Sequence, residues 1–256
     1  MDTVLKIRVI PVMLWKDVSL IKGRCFDHSR RVGTVLPSIK VYNARDVDEL
    51  VLIDVAATTH GESPRFKEIA QFARECNVPF TVGGGIKTEE DIEMILRAGA
   101  DKIVLNSSCY SEPSLINRAS RNFGAQCIVA SIDYRILEGV EICFSHAGQV
   151  RENETVTEWA QKIEDLGAGE ILLTDCSRDG MMSGYGLETI SRVADVVSVP
   201  IIASVGAGTL DHFVEAVKIA SADAVAAGSV FHFSEITPRA IKNHMADAGI
   251  PVRLGL

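Results

Sequence analysis

The chain has 256 residues, 47% of them apolar and 23% charged, with a formal net charge of −8. That acidic balance excludes the basic footprint a nucleic-acid partner needs, and no apolar run approaches the roughly 18 residues of a membrane helix. The start, "MDTVLKIRVI", lacks the basic region, apolar core and cleavage site of a secretory signal, and the six cysteines show no Cys-x-x-Cys spacing, so the expectation is a cytoplasmic protein with reduced thiols.

Short runs rich in Val, Ile and Leu recur along the chain, and eight can be counted: 7–13, 49–55, 79–84, 102–107, 127–133, 170–176, 200–206 and 224–229. Such runs, continuous rather than alternating, fit strands of a parallel sheet buried on both faces. Between them lie amphipathic stretches. In "TEEDIEMILRAGA" the side chains Ile92, Ile95, Leu96 and Ala98 share one face, and Thr88 followed by acids predicts a capped helix start. The stretch 15–38 carries Lys22, Arg24, Arg30 and Arg31 and reads as a mobile loop closing over an anionic ligand.

A shift of 121 residues lays "DELVLIDVA" on "GEILLTDCS" and "PFTVGGGIKTEED" on "PIIASVGAGTLDH", so that Glu49 meets Glu170 and Asp54 meets Asp175. A repeat this long is no solenoid unit. Two related four-strand halves closing one sheet predict a single (β/α)8 (TIM) barrel domain over 1–256, whose chemistry belongs at the C-terminal ends of the strands. At those ends stand "GGG" (83–85) and "GAG" (206–208), with "NSS" and "GS" closing neighbouring strands. Glycines let backbone N–H groups approach an anion and hydroxyls add donors, so one such site in each half suits a ligand phosphorylated at both ends. Asp133 ends the run "IVASID", where partial desolvation raises a carboxyl pKa into the range of acid/base work. Its half-barrel counterpart, at the end of "VIPVML", is Leu14.

"RVIP", "LIKG", "PFTVGGGI", "GADKIVLNSS", "FGAQCIVASID", "GAGEILLTDCSRDG", "SGYG" and "GSVFHF" together resemble the cyclase subunit of imidazole glycerol phosphate synthase, from residue 7 to the final "VRLGL". The resemblance implies a glutaminase subunit docked at the N-terminal face, near Asp101 and Gln126, whose ammonia passes up the barrel to a bis-phosphorylated ribonucleotide. It implies Asp133 and the loop lysine Lys22 as catalytic residues, with Gly85, Asn106, Ser107, Asp179, Gly180, Gly206 and Ser229 holding phosphate. It also implies Arg8, Glu49, Lys102 and Glu170 as a charged gate for ammonia. Leu14 stands where the family has a second catalytic aspartate, Trp15 and Val18 replace a small aliphatic and a glycine, and Val205 replaces a glycine at the second phosphate turn.

An intact delivery end and an altered mouth give two readings. In the first, the barrel channels ammonia to another amination, as in a similar subgroup associated with surface-polysaccharide clusters, where a separate sugar amidotransferase makes amidated amino sugars. In the second, it is a histidine-pathway subunit in which Asp17 or water replaces the missing acid. A third hypothesis is a non-catalytic scaffold that activates a glutaminase. The histidines, including His28, His146, His212 and His232, form no ligand spacing, so neither metal nor cofactor is expected.

Overall fold

The eight apolar runs become the staves of a closed parallel barrel in a computed structural model that describes residues 5–255. Twelve strands are present among the described residues: β1 (Arg8–Lys16), β2 (Ser19–Arg24), β3 (Asp27–Gly33), β4 (Leu50–Asp54), β5 (Phe80–Gly83), β6 (Lys102–Leu105), β7 (Ile128–Leu137), β8 (Val140–Ser145), β9 (Val150–Thr155), β10 (Glu170–Asp175), β11 (Ile201–Ser204) and β12 (Ala224–Ala227). Around the barrel the order is β1, β4, β5, β6, β7, β10, β11, β12 and back to β1, all pairs parallel. Helices such as Glu89–Arg97 return the chain on the outside. That helix begins where the sequence predicts, with Thr88 and Asp91 in a reciprocal capping box.

Strand side chains alternate between two cores. Ile10, Val12, Val51, Val104, Val129, Leu172 and Ile202 pack inside the barrel, whereas Val9, Met13, Leu50, Leu52, Ile103 and Leu173 pack outward against the helices. Both faces being buried explains why these runs read as continuous apolar segments. The register fixes the mouth: Leu14 lies beside Ile53, and Trp15 beside Asp54.

The loop expected over 15–38 is instead mostly strand. β1 runs past the barrel rim, turns at Asp17 and pairs with the hairpin β2–β3. Trp15, Leu20, Ile21 and Lys22 are buried, so an apolar anchor holds the segment where its basic residues alone suggested a loose loop. The second half repeats the device, with β7 running beyond Asp133 to carry the hairpin β8–β9. The two-fold relation therefore includes a hairpin over the mouth from each half. Among the described residues no helix is long and apolar enough to cross a membrane.

Candidate functional site

At the strand bases the four expected charges meet. Arg8 Nη1 lies 2.8 Å from Glu49 and 3.1 Å from Glu170, and Lys102 Nζ lies 3.0 Å and 2.9 Å from the same two carboxylates. Cations and anions alternate, so each charge faces two opposite neighbours, and the Thr81 hydroxyl donates to the second oxygen of Glu49 at 2.7 Å. Nearby Asp101 accepts from the Phe80 backbone N–H at 2.8 Å, as Asp48 does from Val9 and Asp223 from Ile201. Asp101 thus ties a strand start in place besides facing the barrel base. Above the ring the barrel interior is aliphatic up to the mouth.

The mouth is a cavity of about 340 Å³, within the usual range for small-molecule sites. Asp133 and Lys22 line it, together with Gly85, Asn106, Ser107, Asp179, Gly180, Gly206 and Ser229, so all the sequence-selected mouth residues come together. Burial pushes the Asp133 carboxyl up to about 7; the Ser131 hydroxyl, donating at 3.1 Å, opposes this, and the charge of Asp179 adds to it. Burial likewise pulls the Lys22 ammonium down to about 8 against the attraction of Asp179. Lys22 Nζ donates to the Val12 carbonyl at 2.9 Å and lies against Gly228, where an added Cβ would come within 2.0 Å of it. A base and an acid, each titrating near neutrality, therefore share one cavity.

The hairpin β2–β3 is shut over this cavity. The Cys25 N–H donates to the Asp179 carbonyl at 2.8 Å, and Gly180, at φ +71°, leaves no room for a Cβ beneath the Gly23 carbonyl.

Leu14 lines the cavity at the inner end of β1, packed on the aliphatic interior. The two nearby acids do not take its place. Asp17 sits in the turn after β1 at φ +53°, exposed, with Arg65 3.5 Å from its carboxylate. Asp54 has the outward register of Trp15; its Oδ1 accepts from the Ala56 and Ala57 N–H groups, and Arg65 lies 3.6 Å from Oδ2. Its half-barrel partner Asp175 likewise accepts from Ser177. Both are loop-holding groups. Arg65 also lies over the Trp15 ring, centroid 5.2 Å away, so the unusual tryptophan anchors the start of the hairpin.

The glycine turns match across the halves in backbone conformation as well as sequence. Gly84 and Gly85 have φ of +104° and +73°, and Val205 and Gly206 have +66° and +90°. Val205 thus occupies a left-handed position that a β-branched residue tolerates poorly, and its side chain lines the cavity. The turn conformation is kept at the expense of strain.

One group at the mouth escaped the sequence reading. His146, in the turn between β8 and β9, lines the cavity and is hydrogen-bonded to Ser145, which in turn donates to Glu152. Only the hairpin register brings Glu152 across to Ser145, so no linear spacing announces the cluster. Among the described residues no group of three His, Cys, Asp or Glu side chains could hold a metal ion.

A profile of the family described as "Histidine biosynthesis protein" matches residues 8–237. Similar curated proteins include three named "Imidazole glycerol phosphate synthase subunit HisF". That of an Exiguobacterium species is 40% identical over 204 residues, 80% of each chain. That of Staphylococcus saprophyticus is 38% identical and that of Staphylococcus aureus 39% identical, each over 251 residues, covering 97% of this chain and the whole of the relative.

Proposed function

This chain belongs to the histidine biosynthesis protein family, and from that premise we propose that it is a cyclase-type subunit of imidazole glycerol phosphate synthase, working with a glutaminase docked at the barrel base. The single observation that carries the reading is the pairing of a closed charged ring at one end of an aliphatic interior with an anion-ready acid/base cavity at the other. Ammonia entering past Arg8, Glu49, Lys102 and Glu170 meets no competing hydrogen-bonding wall before the mouth. There Asp133, titrating near 7, can take a proton from the attacking nitrogen and return it, while Lys22 supplies positive charge to the ligand. Gly85 with Asn106 and Ser107 holds one phosphate, and Gly206 with Gly180 and Ser229 holds the other. The carboxylate of Asp179 repels phosphate, so its contribution is to tune Asp133 and Lys22.

The names of the relatives favour histidine synthesis over the amination of a surface-polysaccharide sugar; none of them points to polysaccharide, and the separate sugar amidotransferase finds no support in them. Leu14 keeps a second reading alive: a cyclase with altered chemistry, because losing one of two acids costs a factor of about 10² to 10⁴ in rate. The deciding experiment measures turnover of the histidine-pathway ribonucleotide with saturating ammonium, for wild type and Leu14→Asp. Wild-type turnover that is slow yet abolished by Asp133→Asn supports the proposal. Absence of turnover in both proteins sinks it and leaves a different acceptor.

A further inference from the structure

The turn after β8 holds a chain of three polar side chains that ends in the mouth. Ser145 is fully buried, and its hydroxyl donates to the carboxylate of Glu152 on β9. The same oxygen lies 2.7 Å from His146 Nδ1. A serine hydroxyl has one hydrogen, here committed to the carboxylate, so toward the imidazole its oxygen can only accept. Nδ1 therefore carries the ring proton, and Nε2 is left with its lone pair. No protein partner of Nε2 is found among the described residues, and the ring lines the cavity. The backbone fixes the residue from the other side: the His146 N–H donates to Ser107 Oγ at 2.9 Å, and Ser107 donates to Asn106 Oδ1 at 3.2 Å. His146 thus stands beside one anion position, at φ +52°, with Ala147 and Gly148 also left-handed. Such a turn holds a ring in one direction at a conformational cost.

We propose that His146 is a proton-transfer residue of the mouth, with Ser145 and Glu152 as its positioning residues. Nε2 takes a proton from the ligand bound beside Asn106 and Ser107, Nδ1 keeps its own, and the new positive charge is balanced through Ser145 by Glu152. The proton returns from Nε2 to product or solvent. This deepens the cyclase reading and rests on it for the identity of the ligand. It also gives the cavity a second proton acceptor besides Asp133, on the side opposite the vacancy left by Leu14. Of the other charged groups, Arg135 of β7 donates to the Gly148 carbonyl at 3.4 Å, and Asp133 of β7, Lys22 of β2, Asp54 of β4, Lys87 after β5 and Asp179 after β10 line the same cavity as the ring.

The test is long-range ¹H–¹⁵N NMR of the His146 imidazole, combined with kinetics. In wild type the ring proton sits on Nδ1, and ribulose 1,5-bisphosphate, used as an unreactive bis-phosphate probe, shifts the Nε2 resonance. Glu152→Gln offers Ser145 an amide donor, turns the hydroxyl toward Nδ1 and moves the ring proton to Nε2. In the ammonium-dependent reaction His146→Gln lowers kcat about 10²-fold or more with KM little changed. A wild-type ring protonated on Nε2, a tautomer indifferent to Glu152→Gln, or a kcat for His146→Gln within threefold of wild type overturns the proposal. If wild type turns over no ribonucleotide, the cyclase reading fails, and the tautomer and the probe-induced shift alone decide the role of His146.

Discussion

Replacing Lys102 with methionine keeps the aliphatic stem and deletes one cation from the basal ring. Two charge-assisted hydrogen bonds go with it, at 3.0 Å to Glu49 and 2.9 Å to Glu170. Hydrogen bonds to charged groups are worth about 1.5–3 kcal/mol each. Glu49 is only 1% exposed and keeps Arg8 and Thr81, so it bears most of the loss, whereas Glu170, 13% exposed, is partly rehydrated. The net cost is about 3 kcal/mol, which for a chain of this size lowers Tm by roughly 6–12 °C. The assay is thermal or denaturant unfolding of wild type, Lys102→Met, Glu49→Gln and the double variant. Because the double variant strands no buried carboxylate, the cycle should show a coupling above about 1 kcal/mol. A single-variant loss below about 1 kcal/mol with no coupling would refute the view that these charges act as one closed ring rather than as separate solvated side chains.

Asp133 should make stability fall as pH rises. Its folded pKa of about 7 lies above the 3.8 of an unperturbed carboxyl, so the folded state holds the proton more tightly. The stabilisation is complete below about pH 4 and is lost as pH climbs through 7, by linkage on the order of 4 kcal/mol. Asp133→Asn should flatten that slope in urea unfolding between pH 4 and 8; an unchanged slope would place the titration elsewhere. Gly180→Ala, adding a Cβ 2.0 Å from the Gly23 carbonyl at a left-handed φ, should loosen the hairpin β2–β3, and exchange of the Cys25 amide should quicken more than tenfold. Equal exchange in the two proteins would show that the contact does not hold the hairpin. Val205→Gly relieves a strained φ worth about 1–2 kcal/mol while freeing about 0.5–1 kcal/mol of backbone entropy. Its unfolding free energy should stay within about 1 kcal/mol of wild type, and a loss above about 2 kcal/mol would mean that the turn is not strained.

The barrel was legible because its signal is redundant: eight apolar runs and a repeat that lays Glu49 on Glu170 and Asp54 on Asp175. Residues whose place follows from strand position, such as Asp133 at a tip and Lys102 at a base, were legible for the same reason. Alternation along β4 does not show that Asp54, which lines the mouth, also holds the loop that follows through the Ala56 and Ala57 N–H groups. The hairpins escaped because their strands are short, polar and without a sustained apolar alternation. In β2 the apolar anchor is short, Leu20 and Ile21, and lies among basic residues that suggested a loop. In β8–β9 the contact between Ser145 and Glu152 depends on the pairing of Ser145 with Val150, which sets Glu152 diagonally across, a register that the sequence does not display.

The most direct test of the account supplies glutamine labelled with ¹⁵N at the amide to the barrel and a histidine-pathway glutaminase, in excess unlabelled ammonium, with the histidine-pathway ribonucleotide as acceptor. Imidazole product should carry the glutamine label well above the bulk isotope ratio in wild type and fall toward that ratio in Lys102→Met. Product labelled only in proportion to bulk ammonium in wild type, or no imidazole product at all, would contradict it.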